Sequence, residues 1–134
     1  MTAPSPCLLV TGATGFLGGA VAAELINTPH WDSARFMVRA ASREEGAGRI
    51  RAVLTRFEVA PAALARVRPE QIVLGDLRST AAMFADPVSH ATLASVKRVI
   101  NCGAVATFSN HPQLWPVNVD GTFEIGRASC RERV

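Results

Sequence analysis

Tyrosine is absent from the 134 residues and lysine occurs once, as Lys97. No phenol is therefore available anywhere in the chain to give or take a proton. Cysteine is scarce and odd in number: Cys7, Cys102 and Cys130 show no C-x-x-C spacing with one another or with His30, His90 and His111. That excludes a disulfide framework and gives no zinc-ligand pattern. No apolar run approaches the ~18 residues a membrane span needs, and "MTAPSPCLLV" has neither the basic start nor the long apolar segment of a secretion signal. The cytoplasm is the expected compartment. A net charge of +3 is small for this length, and the arginines are not interleaved with aromatic residues, so nucleic acid is not an expected partner.

What is present is ordinary for one globular domain: 49% apolar and 19% charged residues. The order of signals along it is more telling. Residues 7–10 form a short aliphatic run closing in Thr-Gly, a buried strand that ends at a turn. Residues 15–27 follow with Leu17, Ala20, Val21 and Leu25 at helical spacing, stopping before Pro29. "ARFMVRA", 34–40, reads as a second strand. "SREE" after it has the form of a capping box, Ser42 with Glu45, opening a helix with Ile50, Val53, Leu54 and Phe57 on one face. Arg49, Arg51 and Arg56 face away and are most simply a solvated surface. "QIVLGDL", 71–77, and "VKRVINCGA", 96–104, are the third and fourth strands, with one or two short helical turns between them. The expected class is α/β, a doubly wound parallel sheet of the Rossmann type.

Gly12, Gly15 and Gly18 stand at G-x-x-G-x-x-G spacing between the first strand and the first helix. In a dinucleotide site such glycines permit the sharp turn, let main chain approach the pyrophosphate, and allow helix and strand to pack closely. Free N–H groups at the helix start, aided by the helix dipole, then bind the phosphates. The end of the second strand decides the coenzyme. An NAD site places Asp or Glu there for the ribose hydroxyls, whereas this strand ends in Arg39 with Arg43 just beyond. A guanidinium can grip a 2′-phosphate that a carboxylate would repel. NADP(H) is thus favoured over NAD(H), with Arg39 as the phosphate contact and Arg43 as helper; the alternative for Arg39 is a solvated arginine at a strand end.

"VTGATGFLGG", "GDL" at 75–77, "NCGAVA" at 101–106 and "NVDGT" at 118–122 together resemble the extended short-chain dehydrogenase/reductase family. "FMVRA", the arginine-rich helix and "INCGAVATFSNHPQLWPVNVDGT" look most like its thioester-reductase and fatty acyl reductase branch. The resemblance covers residues 6–123. It implies that Thr11, Gly12, Thr14, Gly15, Phe16, Leu17 and Gly18 form the pyrophosphate turn, and that Asp76 and Leu77 flank the adenine. It further implies that Cys102, Gly103 and Ala104 line the cofactor, and that Asn118 helps position the catalytic groups. Asp76 also suits a plain turn carboxylate, and Asn118 a helix or turn hydrogen bond. Cys102 reads as a small buried residue rather than a nucleophile. Trp115 reads as packing on the core.

The implied reaction is hydride delivery to a carbonyl, with a tyrosine as proton donor and a lysine four residues later. Neither partner of that Tyr-x-x-x-Lys pair stands in this chain, so no catalytic residue is assigned and the chain alone is expected to be inactive. "EIGRASCRERV" departs from the pattern that "NVDGTFE" should continue and resembles a translated sequencing adaptor. The expected division is a truncated NAD(P)-binding domain over 1–123 and a non-native tail over 124–134, with four parallel strands ordered 3-2-1-4. The free edge of the fourth strand then predicts marginal stability. The substrate implied for the whole enzyme is a small molecule or a carrier-bound acyl group. Two other readings fit the same residues: a non-catalytic NADP(H) sensor module, and a nucleotide-sugar epimerase or dehydratase, the latter disfavoured by Arg39.

Overall fold

The computed structural model describes residues 8–78, 86–104, 112, 115–122 and 125. Four strands, β1 (Leu8–Thr11), β2 (Ala34–Val38), β3 (Ile72–Leu74) and β4 (Arg98–Asn101), form one sheet in the order β3-β2-β1-β4. Every pairing is parallel: Val10 lies beside Phe36 on one side and Ile100 on the other, and Val38 beside Leu74. This is the expected Rossmann-type half-sheet. The strands are shorter than the apolar runs that announced them. β2 stops at Val38, where its pairing with β3 ends and the chain turns toward Ser42.

Alternation along the strands divides the core into two layers. Val10, Phe36, Val38 and Ile72 point to one face, where they meet Ala22 and Ile26 at the end of α1 (Phe16–Leu25) and Ala47, Ile50 and Leu54 of α2 (Arg43–Arg56). Trp31 is fully buried at the floor of this layer, its ring 4.9 Å from that of Phe36 and its Nε1 donating to the Arg66 carbonyl at 2.9 Å. Leu9, Met37 and Val73 point to the other face and meet Leu93 at the end of α4 (Pro87–Leu93), with Val96, Val117 and Ile125. A short helix that the sequence pattern did not signal, α3 (Pro61–Leu64), bridges α2 and β3.

The predicted α2 cap is present in a shifted form. Ser42 Oγ accepts from the Glu45 N–H at 3.2 Å, while Glu45 Oε2 accepts from Ala41 N rather than from Ser42 N. Arg49 and Arg51 do more than face solvent: Arg49 donates to the Arg39 carbonyl and Arg51 to the Val67 carbonyl. Arg49 is exposed and Arg51 half-buried, and their donors tie α2 to the end of β2 and to the chain ahead of β3.

Trp115 corrects an expectation. It is 67% exposed, because the π-helix that follows, Pro116–Gly121, turns Val117 into the core instead. Among the described residues no helix is long and apolar enough to cross a membrane. His111, Cys7, Cys130 and all of the 124–134 segment except Ile125 lie outside the described residues.

Candidate dinucleotide site

The C-terminal ends of the four strands enclose a cleft of about 250 Å³. Parallel α/β sheets bind ligands at this end, where the helices on the two faces diverge. Gly12, Thr14 and Gly15 contribute the β1 side, Met37 to Arg39 the end of β2, Gly75 to Arg78 the loop after β3, and Cys102 to Ala104 with Val117 the β4 side.

The glycine turn is built by close approach. Gly12 has φ +68°, a left-handed conformation that side chains resist, and a β-carbon on it would fall 2.5 Å from the Cys102 carbonyl carbon and oxygen. Its own carbonyl accepts from the Gly15 N–H at 3.0 Å, and a β-carbon on Gly18 would stand only 2.0 Å from that oxygen. Gly15 caps α1 with extended backbone and no side-chain hydrogen bond, and the first turn of α1 carries no acid. The first N–H groups of the helix are thus met by no side-chain cap at the rim of the cleft.

Thr11 is fully buried beneath this turn rather than in the cleft. Its hydroxyl donates to Asn101 Oδ1 and accepts from the Gly103 N–H at 3.2 Å, while its carbonyl accepts from Cys102 N. Asn101 Nδ2 in turn donates to Thr122 Oγ1 at 3.1 Å, and Thr122 donates to the Asn118 carbonyl. The thread joins β1, β4 and the π-helix that carries Asn118.

The remaining wall is charged. Arg39 lines the cleft from the end of β2, and among the described residues its guanidinium makes no hydrogen bond or ion pair. Asp76 accepts from the Arg78 main-chain N–H at 2.8 Å and from Arg78 Nη2 at 2.9 Å. These hydrogen bonds hold its carboxyl below the usual carboxylate range, with the more distant charge of Arg39 adding to the effect.

The structure brings Gly12, Thr14, Gly15, Arg39, Asp76, Leu77, Cys102, Gly103 and Ala104 to one cleft. Gly18 supports it from below. Phe16 and Leu17 stand outside its lining, 85% and 65% exposed at the start of α1, with the Phe16 ring 5.9 Å from that of Phe57. Arg43 is engaged elsewhere, with Asp86 and Ser89 at the start of α4. Asn118 is half-buried beside Val117, which does line the cleft. Sequence reasoning missed Arg78; the signal was a basic residue directly after "GDL". Among the described residues no group of His, Cys, Asp or Glu is placed to hold a metal ion.

Known proteins share this fold. Residues 10–133 match the NAD-binding family model described as Male sterility protein. The chain is 34% identical over 127 residues to one of the subunits of linear gramicidin synthase from Brevibacillus parabrevis, a match that takes in 93% of this chain and 2% of that protein. The crystal structure of the terminal R domain from the myxalamid PKS-NRPS biosynthetic pathway superposes with a TM-score of 0.77 at 29% identity, over 100% of this chain and 34% of that one. The PhqB reductase domain from Penicillium fellutanum gives 0.71 at 29% identity, over 95% and 34%. This chain spans about a third of each solved reductase domain. With its glycine turn, its 3-2-1-4 sheet and these matches together, the chain belongs to the NAD-binding male sterility protein family, in the thioester-reductase-like branch of the extended short-chain dehydrogenases/reductases.

Proposed function

We propose that this chain binds NADP(H) as the cofactor half of a reductase acting on an acyl thioester presented by a carrier. The observation that carries the coenzyme choice is Arg39: a guanidinium without a partner among the described residues stands at the end of β2, where an NAD site places a carboxylate. The residues fit a dinucleotide. Gly12 and Gly18 let the turn close against the main chain that follows β4 and against itself, where a β-carbon at either position would collide, and the N-terminus of α1 opens beside the cleft without a side-chain cap.

In this reading Gly12, Thr14 and Gly15 hold the pyrophosphate through main-chain groups, Asp76 and Leu77 flank the adenine, and Arg39 takes the 2′-phosphate. Cys102 to Ala104 form the wall along which the nicotinamide half lies. The bound coenzyme supplies hydride. This chain's residues orient it and supply no phenolic proton donor, since the chain holds no tyrosine; by itself the chain is inactive as a reductase. The thioester substrate rests on the relatives, a linear gramicidin synthase and the terminal R domain of a PKS-NRPS pathway. Arg43, held by Asp86, would have to leave that partner to assist Arg39.

Titration calorimetry with NADPH and NADH tests the reading. The chain is expected to prefer NADPH, and Arg39→Ala to remove most of that preference, a loss of about 1.5–3 kcal/mol for a hydrogen bond to a charged group. An unchanged affinity ratio in Arg39→Ala overturns the assignment. The missing tyrosine favours a second reading, an NADP(H)-binding sensor without catalysis. A Tyr-x-x-x-Lys pair downstream in the complete gene would reject it.

A further inference from the structure

Parallel pairing of Val38 with Leu74 sets the ends of β2 and β3 side by side, so Arg39 and the Asp76–Arg78 loop share one wall of the cleft. The side-chain arrangement there is asymmetric. Arg78 reaches the Asp76 carboxylate with Nε at 3.1 and 3.2 Å from its two oxygens and with Nη2 at 2.9 Å from Oδ2. Arg39, on the same wall, is near enough to feel the Asp76 charge yet is not ion-paired with it. A carboxylate engaged at both oxygens by one guanidinium fork has little left to offer a second.

We propose that Arg78 is a positioning residue for coenzyme choice: by occupying Asp76 it leaves the Arg39 guanidinium available to the 2′-phosphate of NADP(H). The inference rests on the reading of Arg39 given under Proposed function. Without Arg78, Asp76 and Arg39 become each other's nearest counter-ions, and the wall changes from net positive to neutral. The 2′-phosphate then competes with a carboxylate for the same cation. Arg78 thus acts through Asp76, and its loss is repaired by removing the Asp76 charge.

The test compares the parent chain with Arg39→Ala, Arg78→Ala, Asp76→Asn and the double variant Asp76→Asn/Arg78→Ala, titrated with NADPH and with NADH. Asp76 and Arg78 have side chains 31% and 52% exposed, so the variants leave the core intact, and thermal melts check this. Arg78→Ala is expected to lower the NADPH:NADH affinity ratio about five-fold, with the double variant returning toward the parent ratio, the coupling expected of neighbouring charges. An unchanged ratio in Arg78→Ala overturns the proposal. So does a loss that persists in the double variant, which would mean that Arg78 touches the coenzyme itself. If Arg39→Ala removes the preference and Arg78→Ala does not, only the role of Arg78 falls. If Arg39→Ala also leaves the ratio unchanged, the reading of Arg39 falls first.

Discussion

Gly12 lies against Cys102 so closely that their main chains exclude any side chain between β1 and β4. The approach joins the first strand to the fourth directly beneath the proposed pyrophosphate. Gly12→Ala must meet both the left-handed φ of +68° and a 2.5 Å collision with backbone that has no rotamer to change. The substitution is expected to cost about 1–3 kcal/mol from the conformation and a similar amount from overpacking. Denaturant unfolding reads the stability loss. Calorimetry is expected to show nucleotide affinity lost even where the variant remains folded.

Ser89 is a second place where a small change has a large expected effect. Its side chain is fully buried, accepts from the Leu74 N–H at the end of β3 at 2.9 Å, and donates to Asp86 at 2.6 Å. Ser89→Ala removes the hydroxyl that satisfies this half-buried N–H, so a loss of about 1–3 kcal/mol is expected. Chemical denaturation of the variant checks it; a shift within about ±0.5 kcal/mol, the range of an ordinary surface substitution, would contradict the role given to the hydroxyl.

The Asp76–Arg78 pair predicts a modest acid sensitivity. Folding lowers the Asp76 pKa, chiefly through hydrogen bonds from Arg78, so the folded state binds that proton less readily than the unfolded one. The pair's contribution is therefore fully present above the unfolded carboxylate value of about 3.9, and fades as pH falls through the lower folded value. For a pair this exposed to solvent the contribution is small. Stability measured from pH 6 down to pH 2 is expected to fall less steeply in Asp76→Asn than in the parent.

Trp115 offers a contrast. As a large but exposed side chain it is expected to tolerate Trp115→Ala with a stability change within about 0.5 kcal/mol, measurable by thermal unfolding. A loss of several kcal/mol would show it to be part of the core.

The parallel sheet, its strand order and the Ser42 cap were all readable from local pattern. The signals survive into the fold because β1, β2 and β3 are buried along most of their length and α1 and α2 each bury one side. The spacing of Gly12, Gly15 and Gly18 was readable for the same kind of reason, since a tight turn limits which residues can occupy it. What escaped was set by contacts distant in sequence. Nothing near Arg43 announces Asp86, and nothing near Arg49 announces the Arg39 carbonyl. Trp115 was misread because apolar size was taken for burial, while the π-helix after Pro116 assigns the inward place to Val117.

The thread from Thr11 through Asn101 to Thr122 clasps the chain on both sides of the stretch between Ala104 and Trp115. Side chains from β1, β4 and the end of the π-helix thus hold the floor of the cleft in register with Val117.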